Sequence, residues 1–225
     1  MKINIKNINI KSICATLFIS LFLFISCGNA GPVPKEGQAA TADGTLINLK
    51  GIGDNIKGVV EFVMNIEEVK NLIVAIDELA KGIGKKINTS GSGIEADGSH
   101  GNNKNNGLIA GVYEIASLIE TKAKGLQVGE SFNDKELQTK VDIVKNKAEA
   151  FKSTLRSSHS NLGSGSAVTD INAQKAIDRK SHGSDGTYGA IQLAELYEAV
   201  NALMSTANEV LKGVIAPAKE VSPAN

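Results

Sequence analysis

From Asn48 to Ile87 the apolar residues fall at steps of three and four: Leu49, Ile52, Ile56, Val59, Val63, Ile66, Val69, Ile73, Ile76, Ala80, Ile83 and Ile87. That is the period of one helix face, whereas a half-buried strand repeats every second residue. A continuous helix over this span would be a rod about 58 Å long. Val60, Phe62, Leu72, Val74 and Leu79 widen the stripe beyond a single seam. A helix apolar on more than one face is expected to be central, touching several neighbours or a second subunit. Gly51, Gly53 and Gly58 weaken its beginning and favour a later start.

The same period returns three times. Leu108 to Ala123 carries it through Ile109, Val112, Ile115 and Ile119, and Gly125 and Gly129 close the segment. Ser131 with Asp134, or Asn133 with Glu136, resembles a capping box ahead of the stripe Leu137, Val141, Val144, Ala148, Phe151 and Leu155. A last helix is expected from about Tyr188 to Val214, with Pro217 and Pro223 stopping its continuation. Between these, Thr169-Asp170 opens a short helix through Ala173, Ala176 and Ile177. The stretches 88–106, 157–168 and 181–187 are rich in Gly, Ser, Asn and other polar residues and read as solvated loops. No segment reads convincingly as a strand. The expected fold is all-α: an elongated helical bundle of four long helices plus one short one, in a single domain at 48–215. Counting helix directions puts both termini at the membrane-proximal end and the loops at 88–106 and 157–187 at the far tip.

The membrane enters through the first 26 residues. Lys2, Lys6 and Lys11 precede an apolar run from Ile13 to Ile25, which has the length of a signal-peptide core. It is shorter than the roughly 20 apolar residues that span a bilayer. Leu23-Phe24-Ile25-Ser26-Cys27 then sets a small residue before a cysteine, in the manner of a bacterial lipoprotein box. Cys27 is accordingly the expected lipidation site, with cleavage just before it. Gly28-Asn29-Ala30 also fits an ordinary signal-peptidase site, which would discard Cys27 with the leader. Cys14 lies inside the segment to be removed, so the mature chain is expected to hold one cysteine and no intrachain disulfide. One acyl chain binds a membrane only marginally and two or more hold stably. The full chain has 24 basic and 24 acidic residues; without the three leader lysines it carries 21 against 24, or −3. Its own field does not draw it to anionic lipid, so the acyl chains must hold it. Residues 27–47, poor in anything to bury, read as a flexible tether, and 216–225 as a disordered tail.

Nothing in the sequence composes a catalytic site. His100, His159 and His182 lie in or beside polar loops with no second ligand at metal spacing. Glu67-Glu68 and Asp77-Glu78 share a helix with lysines and read as solvated face. Gly82-Ile83-Gly84-Lys85-Lys86 lacks the spacing of a phosphate-binding loop and its following Ser or Thr. The expectation is a protein that is not an enzyme, takes no cofactor and binds no metal or nucleic acid. Lys81, Lys85 and Lys86 end the first helix near the outer tip and are the candidate polyanion-binding residues. Cations at a helix C-terminus are also explained by the helix dipole alone.

Three stretches together carry a family resemblance: Ile76 to Ile87 (IDELAKGIGKKI), Gly107 to Leu126 (GLIAGVYEIASLIETKAKGL), and Ala167-Val168-Thr169-Asp170 followed by Ala173 and Ala176-Ile177. With the lipoprotein signal they resemble the variable small protein / outer surface protein C family of Borrelia lipoproteins, over essentially the whole mature chain. The resemblance implies a surface-exposed lipoprotein of the outer membrane, anchored through acyl chains on Cys27, usually a homodimer built on the first helix. It also implies antigenic variation against host antibodies, or alternatively adhesion to a host or tick ligand such as a glycosaminoglycan or plasma protein. A periplasmic structural lipoprotein is a third, more distant alternative.

Overall fold

The computed structural model describes residues 34–40, 46–98, 104–165, 167–181 and 185–220. Cys27, His100, His182 and residues 221–225 of the expected tail lie outside the described residues. The chain divides into two units, one of residues 1–54 with 218–225 and one of residues 55–217.

In the first unit, strand β1 (Gln38–Ala40) pairs antiparallel with β2 (Leu46–Asn48) in the register Gln38↔Asn48. Helix α1 (Leu49–Ala80) follows without a break. The Asn48 side chain accepts a hydrogen bond of 2.9 Å from the Gly51 amide, capping the first turn as an N-cap asparagine does. Helix therefore begins where the apolar spacing begins, and the early glycines do not delay it.

The second unit carries the core. α1 buries Val59, Phe62, Ile66, Val69, Ile73 and Ile76, and with them Asp77. Strands β3 (Lys85–Ile87) and β4 (Ile94–Ala96) form an antiparallel hairpin. Helix α2 (Asn106–Lys124) buries Ile109, Val112, Ala116, Ile119 and Ala123. Ala116, not Ile115, is the buried member of that stripe; Ile115 packs half-buried at its edge. A 3-10 turn (Glu130–Phe132) brings the Phe132 ring to 5.8 Å from that of Phe62.

Helix α3 (Lys135–Ser157) buries Leu137, Val141, Val144, Ala148, Phe151 and Leu155, the full stripe legible in the sequence. Its cap is Asp134 itself, whose carboxylate accepts from the amides of Glu136 and Leu137 at 2.6 and 3.1 Å. Neither expected capping-box register is used, because a carboxylate at the N-cap satisfies two orphan amides alone. Helix α4 (Asp170–Ile177) is capped by Thr169, which accepts from the Asn172 amide at 3.0 Å. Helix α5 (Ala190–Glu220) buries Leu193, Leu196, Val200, Leu203 and Ala207.

Among the described residues the protein is mainly helical, with four long helices and one short one, as expected, and two strand pairs that the helical period does not reveal. Two boundaries differ. α1 stops at Ala80, seven residues short of Ile87, because Gly82 and Gly84 follow and Gly84 takes the left-handed φ of +66°. α5 runs through Pro217 to Glu220. The proline removes one donor and crowds the carbonyl four residues before it, while Ala216, Ala218 and Lys219 around it are good helix formers.

Candidate functional site

Three described segments meet where α1 ends. The Gly84 amide donates to Asn105 Oδ1 at 3.1 Å, and Asn105 Nδ2 donates to the Val168 carbonyl at 3.2 Å and to Asp170 Oδ1 at 2.8 Å. Asn105, 3% exposed, thus ties the base of the β3–β4 hairpin to the starts of α2 and α4. The neighbouring Asn106 side chain accepts from the Val168 amide at 2.9 Å. Gly84 is required at this junction, since any side chain there would collide with the Asp170 carboxylate. A cavity of about 130 Å³ opens beside the knot, lined by Gly82, Gly84, Lys85, Asp97, Lys104, Asn105, Leu108 and Asp170.

The three candidate lysines lie at this end but not as one helical cluster. Lys81 follows α1 directly, whereas Lys85 and Lys86 belong to β3, because the helix has already ended. Alternation along the strand turns those two side chains to opposite faces. Lys81 Nζ lies 2.5 Å from Glu78 Oε2. Lys86 Nζ lies 3.6 Å from Glu95 and 3.8 Å from Asp97, and Lys104 also reaches Asp97 at 3.6 Å. Lys85 has no carboxylate within ion-pair distance among the described residues. Two of the three charges are therefore already matched by neighbours.

A second polar cluster holds the segment after α4 to the last turn of α1. Asp77, read from sequence as part of a solvated face, is buried instead. It accepts from Arg179 Nη2 at 2.6 Å, and Lys180 Nζ approaches it to 3.0 Å. The Arg179 guanidinium also lies 3.7 Å from the centre of the Tyr197 ring. The sequence held a signal for this: Asp77 follows Ile73 and Ile76 at the i+4 and i+1 positions of the core stripe, and a carboxylate there demands a cation. Glu67, Glu68 and Glu78 are exposed, as expected. His159 is exposed in the turn after α3. Among the described residues, no group of three or more His, Cys, Asp or Glu side chains is placed to hold a metal ion, and no helix is long and apolar enough to cross a membrane.

What this end presents outward is surface. Every residue from Thr89 to Ala96 is exposed, as are Ser157 at the end of α3 and His159 and Ser160 after it. The expected loop 157–168 is not uniformly solvated, since Val168 is core, and the short helix expected after it buries Ala173, Ala176 and Ile177.

Comparison with known proteins places this architecture among lipoproteins. The profile of a family described as lipoprotein (Lipoprotein_6) matches residues 46–221. Outer surface protein C of Borreliella burgdorferi is 36% identical over 206 residues, covering 89% of this chain and 90% of that protein. Variable small protein 11 of Borrelia hermsii is 34% identical over 206 residues, covering 92% of this chain and 95% of that protein. The solved structure of variable small protein 1 of Borrelia turicatae superposes with a TM-score of 0.67 at 34% identity, covering 76% of this chain and 99% of that one.

Proposed function

The chain belongs to the family of outer surface protein C and the Borrelia variable small proteins, and from that premise we propose that it is a surface-exposed lipoprotein of the outer membrane serving antigenic variation. The carrying observation is the separation of core from surface. Most buried apolar residues sit on helices at fixed spacing, while the segment Thr89–Ala96 exposes everything it carries and the turn after α3 exposes His159, Ser160, Ser164 and Gly165. A packed core feels the loss of a single methylene, whereas exposed turns accept most residue types. Such a chain can change the face it shows to host antibodies without changing its fold. The variable positions are proposed within 88–104 and 157–165, because Asn105, Asn106 and much of 168–177 are held by the hydrogen-bonded knot and the core. Exchanging these two segments with those of another family member and testing type-specific antibodies checks the reading. Recognition should move with the exchanged segments; unchanged recognition overturns it.

Anchoring is proposed through acyl chains on Cys27. A homodimer through α1 is part of the same proposal. Val60, Met64, Asn71 and Val74 share one face of α1, and Met64 and Val74 are exposed large apolar residues of the kind a second copy would cover. A mass of one chain by light scattering at micromolar concentration would contradict it. The polyanion reading of Lys81, Lys85 and Lys86 is weakened, since Lys81 and Lys86 already face carboxylates.

A further inference from the structure

Four charged residues line the cavity beside the Asn105 knot: Lys85, Asp97, Lys104 and Asp170. Asp97 lies 3.6 Å from Lys104 and 3.8 Å from Lys86, and Lys86 also reaches Glu95 at 3.6 Å. Those two cations and two carboxylates balance one another. Lys85 and Asp170 are left over. Among the described residues, Lys85 has no carboxylate and Asp170 no cation within ion-pair distance. Asp170 Oδ1 accepts from Asn105 Nδ2 at 2.8 Å, while Oδ2 accepts no hydrogen bond among the described residues. That oxygen lies over Gly84, where a Cβ would collide with it. The first turn of α4 favours a carboxylate, yet no cation completes it. Gly82 and Gly84 bring bare backbone to the wall, half-buried Leu108 adds an apolar side, and about 130 Å³ stays open between them.

We propose that this cavity binds a small zwitterion, a free α-amino acid with a short side chain, whose ammonium donates to Asp170 Oδ2 and whose carboxylate accepts from Lys85 Nζ. Charge decides the class. An anion alone would meet Lys85 but stand beside Asp170, and a cation alone would meet Asp170 but stand beside Lys85. Only a molecule with both charges matches both walls, and hydrogen bonds between ionised groups are the strong ones. A divalent cation is a poorer occupant: two lysines line the same cavity, and among the described residues no group of three acidic, His or Cys side chains is placed to hold it. Size decides the member. A sphere of this volume is about 6 Å across, with room for several waters or for an amino acid the size of alanine, but not of tryptophan. Asn105 is a positioning residue. Its amide group is spent on Val168 and Asp170, so it fixes the carboxylate and leaves Oδ2 to the ligand. Neither the lipid anchor nor antigenic variation bears on this site.

The test titrates the full mature chain with glycine, L-alanine and L-serine, read by calorimetry and by the resonances of the Gly84 amide and the Asn105 side-chain amide. Acetate and methylamine each lack one charge, and L-tryptophan is too large. At least one small amino acid should bind saturably and shift both resonances, and the three controls should bind about tenfold more weakly or not at all. Lys85→Gln and Asp170→Asn should each weaken that binding roughly tenfold or more, the effect of losing one hydrogen bond between charged groups. Lys85 is exposed, so its variant keeps the fold even where Asp170→Asn disturbs the start of α4, which an unchanged helical circular dichroism spectrum verifies. No saturable binding at about 10 mM of any small amino acid would leave the cavity to water and overturn the proposal. Equal binding by acetate, methylamine or tryptophan, or indifference to Lys85→Gln, overturns it as well.

Discussion

Arg179 reaches across 102 residues of chain to donate a 2.6 Å hydrogen bond to Asp77, with the two side chains only 10% and 4% exposed. The pair fastens the loop between α4 and α5 to the core face of α1. A buried pair adds little over an apolar replacement of the same shape, but breaking it strands a charge. Asp77→Ala should therefore cost about 3 kcal/mol or more of unfolding free energy, measured by urea titration. Asp77→Leu with Arg179→Met should recover most of that loss. Equal stability of Asp77→Ala and the native chain would show that the pair carries nothing.

Gly189 packs where α5 begins. Its φ is +150°, and an added Cβ would lie 2.7 Å from the Ala176 carbonyl oxygen and 3.0 Å from Leu155 Cδ2. Gly189→Ala should destabilise by about 2 kcal/mol, from backbone strain and overpacking together. Gly165→Ala, also at positive φ (+94°) but with open space around it, should cost about half as much. Thermal melts of the two variants separate the packing contribution from the backbone one.

Asn105 is the knot between the hairpin and two helix starts. Asn105→Ala leaves the Gly84 amide and the Asp170 carboxylate without its bonds, at a cost of about 1–3 kcal/mol. Amide exchange should then quicken first in the hairpin 85–96 and at the start of α4, while the α3 core stays protected. Uniform acceleration across all helices would contradict the local role.

Glu120 accepts from Lys124 at 2.6 Å and from Lys152 at 2.8 Å, and these bonds hold its carboxyl below the ordinary glutamate range. A carboxylate with a lowered folded pKa contributes stability above the unfolded value, and that contribution fades as pH falls through the folded one. Glu120→Gln should flatten the loss of thermal stability between about pH 5 and 3 relative to the native chain. Parallel acid limbs would show that the bonds have no linkage to folding.

The sequence disclosed the elements whose local pattern and tertiary role agree. Every stripe residue from Leu137 to Leu155 is buried, and Thr169 caps α4 where its hydroxyl precedes the apolar residues. It misled where two patterns overlap. Ile83 and Ile87 continue the three-four spacing of α1, yet the Gly84 turn ends the helix and leaves Ile87 on an exposed strand. The hairpin is hidden because its strands are three residues long and alternate too briefly to be read. The Asp77–Arg179 pair joins distant segments, and no local period encodes such a contact. Lys85 and Lys86 were legible as a basic end, but their opposite faces follow only from the strand.

The lipid anchor is the claim on which the surface role turns, and mass spectrometry of the mature N-terminal peptide from the membrane fraction tests it most directly. The account predicts a chain beginning at Cys27 with fatty acyl groups attached. An unmodified chain beginning at Gly31 would contradict it.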